Sequence, residues 1–328
     1  MMGEDFSEFA ERFASVEAEV QRVFLGHEDV VHGVLVAILA RGHVLLEGVP
    51  GVGKTLLVRA LGRTLGCSHR RIQFTPDLMP SDVTGSSIYS ERRGDFEFRK
   101  GPIFTQLLLA DEVNRAPAKT QSSMLEAMQE RAVTNDGETR VLPEPFFVLA
   151  TQNPIESAGT YPLPEAQLDR FLFKITITHP SRSVETKLLR SLRDGLAPMD
   201  VSRARPVVTS VDVSSLQDLA ERVHVDDRLV DYVVELVAKT RESPLVQVGA
   251  SPRAAIGLLR TAQVEAAAEG REYAIPDDVK QNAAWVLGHR IILQPDAEIE
   301  GTTALDVVRN VLESTPVPGA EAAEAQPE

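Results

Sequence analysis

The 328-residue chain is 43% hydrophobic and 25% charged, which is enough apolar content for a sizeable core and, at this length, two domains. Its formal net charge of −14 weighs against tight sequence-independent contact with nucleic acid, which depends on lysine and arginine neutralising phosphates. No apolar run approaches the roughly 20 residues that span a bilayer, the start MMGEDFSEFAERF is acidic where a secretory signal is basic, and a lone Cys67 rules out an internal disulfide or a cysteine-rich metal site, so the expected location is cytoplasmic.

The first predicted element is an amphipathic helix in which Phe6, Phe9, Phe13, Val16, Val20, Val23 and Phe24 recur at helical spacing, with Gly26 as its stop. A second helix through DVVHGVLVAILA leads into HVLLEG, too short for a helix and apolar enough for a buried parallel strand. Three more segments read the same way: LLLADE at 107 to 112, FFVLAT at 146 to 151 and FLFKITIT at 171 to 178. Helical patterns lie between them, and that alternation predicts a layered α/β domain with a mainly parallel sheet. SIYSERRGDFEFRK and RAVTNDGETRV each carry strand-like arms around a Gly-Asp or Asn-Asp-Gly turn and read as hairpins. After about Pro206 helical patterns follow one another, one of them starting at Ser251-Pro252 and ending at Gly270. The tail STPVPGAEAAEAQPE has almost nothing to bury and reads as disordered.

Between HVLLEG and the helix TLLVRALGRTLG stand Gly48, Gly53, Lys54 and Thr55, in the spacing G-x-x-x-x-G-K-T. The glycines let backbone N–H groups curl around phosphates, the lysine reaches the β and γ phosphates, and the threonine hydroxyl ligates magnesium. LLLADE adds Asp111 and Glu112 at the end of an apolar strand. After such a loop, the aspartate reads as a Mg²⁺ partner and the glutamate as the group that polarises attacking water.

LLEGVPGVGKT, FRKGPIFTQLLLADEVNRAPAKTQSSMLEAMQE, FFVLATQNPIE and LPEAQLDRFLF together resemble the MoxR family of AAA+ ATPases, in order and spacing over most of residues 20 to 300. The resemblance implies a P-loop NTPase core, a three-layer sandwich around a parallel sheet, followed by a small all-α lid. It also implies assembly into hexameric rings, with ATP and Mg²⁺ as cofactors. The boundaries drawn on this basis are an N-terminal helix and adenine-side segment at 1–28, the core at 29–205, the lid at 206–313 and the tail at 314–328.

The same resemblance assigns site residues. Nucleotide is held by Gly48, Val49, Pro50, Gly51, Val52, Gly53, Lys54 and Thr55, with Leu25 and Gly26, beside Val23 and Phe24, at the base, where ordinary core packing at a helix end is the alternative; Thr55 and Asp111 hold the metal; Glu112, Asn153, Arg170 and Arg253 are the catalytic set. Asn153 matches the polar sensor of the γ-phosphate, although an asparagine before Pro154 is also an ordinary turn former. Arg170 matches the finger that enters a neighbouring subunit, against the alternative of a pair with Asp169 or Glu165 within the chain. Arg253 matches the lid arginine that touches nucleotide in its own chain; its place in the first turn of a helix suits a cation only if phosphate lies near. Arg115 has no assignable partner, Arg71, Arg99 and Lys100 read as solvated or interface charges, and His27, His32, His43 and His69 lack metal-ligand spacing.

The function so implied is hydrolysis of ATP at subunit interfaces by a chaperone-like remodeller of protein clients, with a separate von Willebrand factor A domain protein as partner. The alternatives are a DNA-acting motor of the same superfamily, or a scaffold that binds ATP with little turnover.

Overall fold

The structure, a computed structural model, describes residues 2–49, 51–92, 94–153, 160–195 and 200–318. Its framework is a five-stranded, fully parallel sheet in the order β2-β5-β8-β1-β9. These strands are β1 (Val44–Gly48), β2 (His69–Gln73), β5 (Leu107–Asp111), β8 (Phe147–Gln152) and β9 (Phe173–Ile177). Four were legible as apolar runs. The fifth, β2, was not: its sequence HRRIQ buries only Ile72, because it lies at the sheet's edge and its other side chains meet solvent.

Successive side chains of a strand point to opposite faces, and the core divides accordingly. Val44, Leu46, Leu107, Leu109, Phe147, Leu149, Phe173 and Ile175 face one apolar layer, while Leu45, Leu108, Ala110, Val148 and Ala150 face the other. The first layer is closed by α1 (Met2–Gln21), α2 (Glu28–Leu39) and α3 (Lys54–Thr64), the second by α4 (Pro80–Thr84) and α5 (Ala118–Glu130). Phe6, Phe9, Phe13, Val16 and Val20 are all buried, as their spacing predicts, but α1 stops at Gln21 and Gly26 (φ +84°) closes the turn after it. Both expected hairpins form: β3 (Gly85–Ser90) with β4 (Asp95–Lys100), and β6 (Ala132–Asn135) with β7 (Glu138–Val141), the latter turning through Asp136 and Gly137 at positive φ. Short α6 (Glu165–Leu168) precedes β9, and α7 (Arg182–Arg193) follows it.

The lid is helical: α8 (Ser210–Ala220), α9 (Asp227–Glu242), α10 (Pro252–Ala268), α11 (Pro276–Leu287), α12 (Pro295–Ile299) and α13 (Ala304–Ser314). A small ribbon, β10 (Val246–Val248) with β11 (Ile292–Leu293), joins two of its turns. Thr209, Asp226, Ser251 and Thr303 each accept a backbone N–H with their side chain at a helix start, and of these Ser251 was read from the sequence. The folded part extends past the expected boundary at 314: Thr315 is buried, and its hydroxyl donates to Val311 O at 2.6 Å. Residues 319–328 of the expected disordered tail lie outside the described residues.

His32 ties the N-terminal helices to the lid. Its Nδ1 lies 3.2 Å from Glu17 of α1 and its Nε2 3.1 Å from Glu265 of α10, a carboxylate that also accepts Asn282 Nδ2 at 2.7 Å. Burial lowers its basicity, but hydrogen bonds and charge from the two carboxylates outweigh that and push the imidazole up to about 10. A pKa raised in the folded state adds stability that is full below the unfolded value of about 6.5 and is lost as pH rises through about 10. Unfolding free energy should therefore fall by roughly 1–3 kcal/mol between pH 7 and 10. Denaturant titration of His32→Gln should show a flatter profile over that interval.

Candidate active site

Gly48 ends β1 against the neighbouring strand: a Cβ there would sit 2.3 Å from Ile177 O, so packing alone requires glycine at the first position of the phosphate loop. Gly51 and Gly53 adopt φ of +88° and +89°, where side chains are strained, and Gly53 is the N-cap of α3 with no side chain capping it. The first-turn N–H groups of α3 are thus left for an anion, with the helix dipole behind them. Lys54 Nζ donates to Gly48 O at 2.7 Å. Burial lowers its pKa while Asp111 and Glu112 oppose that, which places the ammonium within electrostatic reach of both acids. Glycines that must stay bare, open amide donors and a nearby ammonium fit a polyphosphate; Pro50 lies outside the described residues.

Because β5, β8 and β1 are neighbours and parallel, their C-terminal ends bring Asp111, Asn153 and the phosphate loop to one sheet edge, where ligands of open α/β sheets bind. Asn153 is buried just past β8. Three residues given no role at the acids from sequence hold them: Thr151, Arg71 and Gln73. Thr151, fully buried in β8, donates its hydroxyl to Asp111 Oδ1 at 2.6 Å and accepts the Glu112 N–H at 2.9 Å. Arg71 on β2, read from sequence as a solvated or interface charge, is half exposed and donates to Asp111 Oδ2 from Nε at 3.1 Å and Nη2 at 2.8 Å. Gln73 donates to Glu112 Oε2 at 2.8 Å and accepts from Arg71 at 2.6 Å. Glu112 itself sits at φ +56°, a strained setting for a non-glycine residue, and Arg115 Nε pairs with it at 3.1 Å. The one sequence signal for Thr151 was a polar residue inside the apolar run FFVLAT.

On the proposed base side, Val23 and Phe24 are buried and Leu25 and Gly26 half-buried. The Phe24 ring lies where a Cβ on Gly53 would approach it to 3.0 Å, so this segment abuts the phosphate loop. His27 beside it is buried and, with its pKa lowered by burial, keeps an Nε2 with no hydrogen-bond partner among the described residues. An orphaned polar atom beside an aromatic ring fits a heterocycle that is itself polar at its edge.

The two arginines lie elsewhere. Arg170 and Arg253 line a cavity of about 250 Å³ together with His43, Leu172, Arg41, Arg131, Arg260 and Arg290, and with one carboxylate, Asp169. His43 leads into β1 and Leu172 into β9, and Leu172 N donates to His43 O at 2.8 Å, so the cavity sits at the N-terminal edge of the sheet. Five residues at about 3.3 Å each separate that edge from the phosphate loop by roughly 16 Å. Arg253 reaches Asp169 at 3.9 Å and Gln129 at 3.4 Å, which sets it away from the phosphate loop of its own chain rather than beside it. Asp169 is engaged by Arg290 and Ser251, and among the described residues no ion pair forms between Arg170 and Asp169 or Glu165.

Residues 43–173, which run from one sheet edge to the other and back, match the ATPase family associated with various cellular activities (AAA), and residues 238–311 match the AAA lid domain. The chain is 50% identical to the uncharacterized protein YeaC of Bacillus subtilis over 91% of this chain and 92% of that one. It is 44% identical to the Chaperone MoxR1 of Mycobacterium tuberculosis over 94% of this chain and 83% of that one, and 31% identical to the Protein MoxR of Methylorubrum extorquens over 96% of each. A solved structure from Cytophaga hutchinsonii, assigned as an ATPase, superposes with a TM-score of 0.89 at 41% identity, covering 96% of this chain and 97% of that one. The chain belongs to the MoxR family of AAA+ ATPases.

In this MoxR-family ATPase the orientation of Asp111 and Glu112 is set from other strands. Thr151→Val keeps the shape of β8 but removes the hydroxyl that holds Asp111 and the Glu112 amide. Turnover should fall by about 10–100-fold and unfolding free energy by about 1–3 kcal/mol, with nucleotide affinity little changed. Steady-state phosphate release beside a fluorescent-nucleotide titration would separate the two effects.

Proposed function

We propose that this MoxR-family ATPase assembles into a ring, hexameric by resemblance, in which each Mg-ATP is bound by one chain and completed by the next. The observation that carries the reading is the separation of the catalytic set: phosphate loop, acids and Asn153 at one sheet edge, Arg170 and Arg253 at the other. A chain of net charge −14 that gathers several arginines around a single carboxylate gains a counter-charge if a neighbour's phosphates meet that face.

In this reading Lys54 and the loop amides bind and orient the β and γ phosphates, while Thr55 and Asp111 hold the metal. Magnesium, when bound with the nucleotide, supplies charge neutralisation on those phosphates. Glu112 takes the proton from the attacking water, which Asn153 orients. Arg170 from the neighbouring chain spreads positive charge over the transferring phosphoryl oxygens, and Arg253 reads the same group. The Val23 to Gly26 segment packs the base.

A chaperone-like role toward protein clients is supported by the printed name of the Mycobacterium tuberculosis relative. A von Willebrand factor A domain partner and a cytoplasmic setting remain part of the proposal from the family resemblance; among the described residues no helix is long and apolar enough to cross a membrane. The β3-β4 hairpin suits client contact, since it holds Tyr89 and Phe96 in an exposed edge-to-face pair with ring centroids 5.5 Å apart.

Two outcomes test this reading. Glu112→Gln should retain ATP binding and lose about 10²–10⁴-fold in turnover, and in ATP it should trap clients that mass spectrometry identifies as proteins; a trapped set of nucleic acid would sink the remodeller reading. Arg170→Ala should lose about 10³-fold or more in turnover with its own nucleotide affinity intact. Mixing Arg170→Ala chains with Glu112→Gln chains should recover activity, because each supplies what the other lacks; a mixture as inactive as its components would exclude action between chains.

A further inference from the structure

Past the end of α11, the side chain of Arg290 enters the boundary between lid and core, where only 8% of the residue is exposed. Its Nε donates to Asp169 Oδ1 at 2.8 Å. Its Nη2 donates to the carbonyls of Asp169 at 3.1 Å and Phe171 at 2.6 Å, and its Nη1 to the carbonyl of Leu172 at 3.2 Å and to that of Val286. One guanidinium from the lid therefore holds the backbone carbonyls on both sides of Arg170. His289 adds a second grip. Burial and the charge of Arg290 keep its imidazole neutral, down at about 3, and its Nε2 lies 3.1 Å from Phe171 O.

The carboxylate of Asp169 extends the clamp to the other arginine. Ser251 donates its hydroxyl to Asp169 at 2.9 and 3.0 Å and, as the N-cap of α10, accepts the N–H of Arg253 at 3.1 Å. Burying a guanidinium is costly, and a packed apolar residue would fill the same volume. What an apolar residue could not do is saturate several carbonyls and a carboxylate with one planar set of donors.

We propose that Arg290 is a positioning residue for the reaction in the neighbouring chain: it locks the segment of Arg170 to the lid helix of Arg253, so both arginines are presented as one rigid unit. The proposal rests on the reading of Arg170 as acting between chains. Any tilt of the lid then carries Arg170 with it, which links the nucleotide state of one site to the competence of the next.

The test uses full-length Arg290→Met and Arg290→Lys chains, with Asp169→Asn breaking the same clamp from the other side. Each should bind nucleotide at its own loop with wild-type affinity, assemble as wild type does, and turn over about 10²-fold more slowly, the scale set by ångström misplacement of a catalytic group. Arg290→Lys, which keeps the charge without the fork, should recover only part of the loss. The deciding readout is mixing with Glu112→Gln, whose arginine face is intact: activity should return in the mixture, which a general loss of stability would not produce. Arg170→Ala mixed with Glu112→Gln is the control. If that control recovers and the Arg290→Met mixture does not, the positioning role is overturned while action between chains stands; if neither recovers, the underlying reading fails. Should Arg290→Met not fold, Asp169→Asn decides by the same mixture, and wild-type turnover by Asp169→Asn would overturn the proposal.

Discussion

A parallel sheet has two unlike edges, and in this protein that polarity is the constraint on which the rest depends. All five strands run the same way, so their C-terminal ends collect the phosphate loop, Asp111, Glu112 and Asn153, while the segments leading into the strands collect Arg170, Asp169 and His43. The strands are short, yet a five-residue strand is already longer than any arginine side chain can bridge. Arg170 and the phosphate loop, at opposite edges, cannot meet within one chain in this arrangement. In the proposed ring, the edges of two copies would face one another.

At the phosphate edge the acids are held by a hydrogen-bond network that crosses three strands. Thr151 in β8 touches both Asp111 and Glu112, and Arg71 and Gln73 on β2 engage the same two carboxylates from the other side. Glu112 is held in a left-handed backbone setting, with Gln73 and Arg115 on its carboxylate. Strain of this kind persists only where the surroundings over-determine it, and Glu112 has partners on three elements. At the arginine edge the organising group is Asp169, shared by Arg290 and by the cap of α10. Each edge therefore holds its candidate site residues in place through a network of neighbouring side chains.

Much was legible along the chain, for physical reasons that particular residues show. Gly48, Gly53, Lys54 and Thr55 could be read because a phosphate loop is built from consecutive backbone, so its requirements are written locally. β1, β5 and β8 could be read because both faces of a central parallel strand are buried, β9 because Phe173, Ile175 and Ile177 are buried although it lies at the sheet's edge, and Ser251 and Pro252 marked a helix start because capping is a contact between near neighbours. β2 was missed because its sequence HRRIQ buries only Ile72 and so has no apolar signature. Arg71, Gln73 and Thr151 were missed with it, since their partners lie some forty residues away in sequence.

The sequence by itself determined that this chain binds and hydrolyses a nucleotide in a MoxR-type α/β core with a helical lid, because phosphate loops, strand cores and helix caps are short-range. Only the tertiary structure decided where the arginines stand. Arg253 read as a partner of its own chain's nucleotide, and the fold instead sets it beside Arg170 at the opposite edge, joined through Asp169, Ser251 and Arg290. The reason is strand direction and the packing of α11 against β9, properties of elements far apart in the chain that no local pattern encodes.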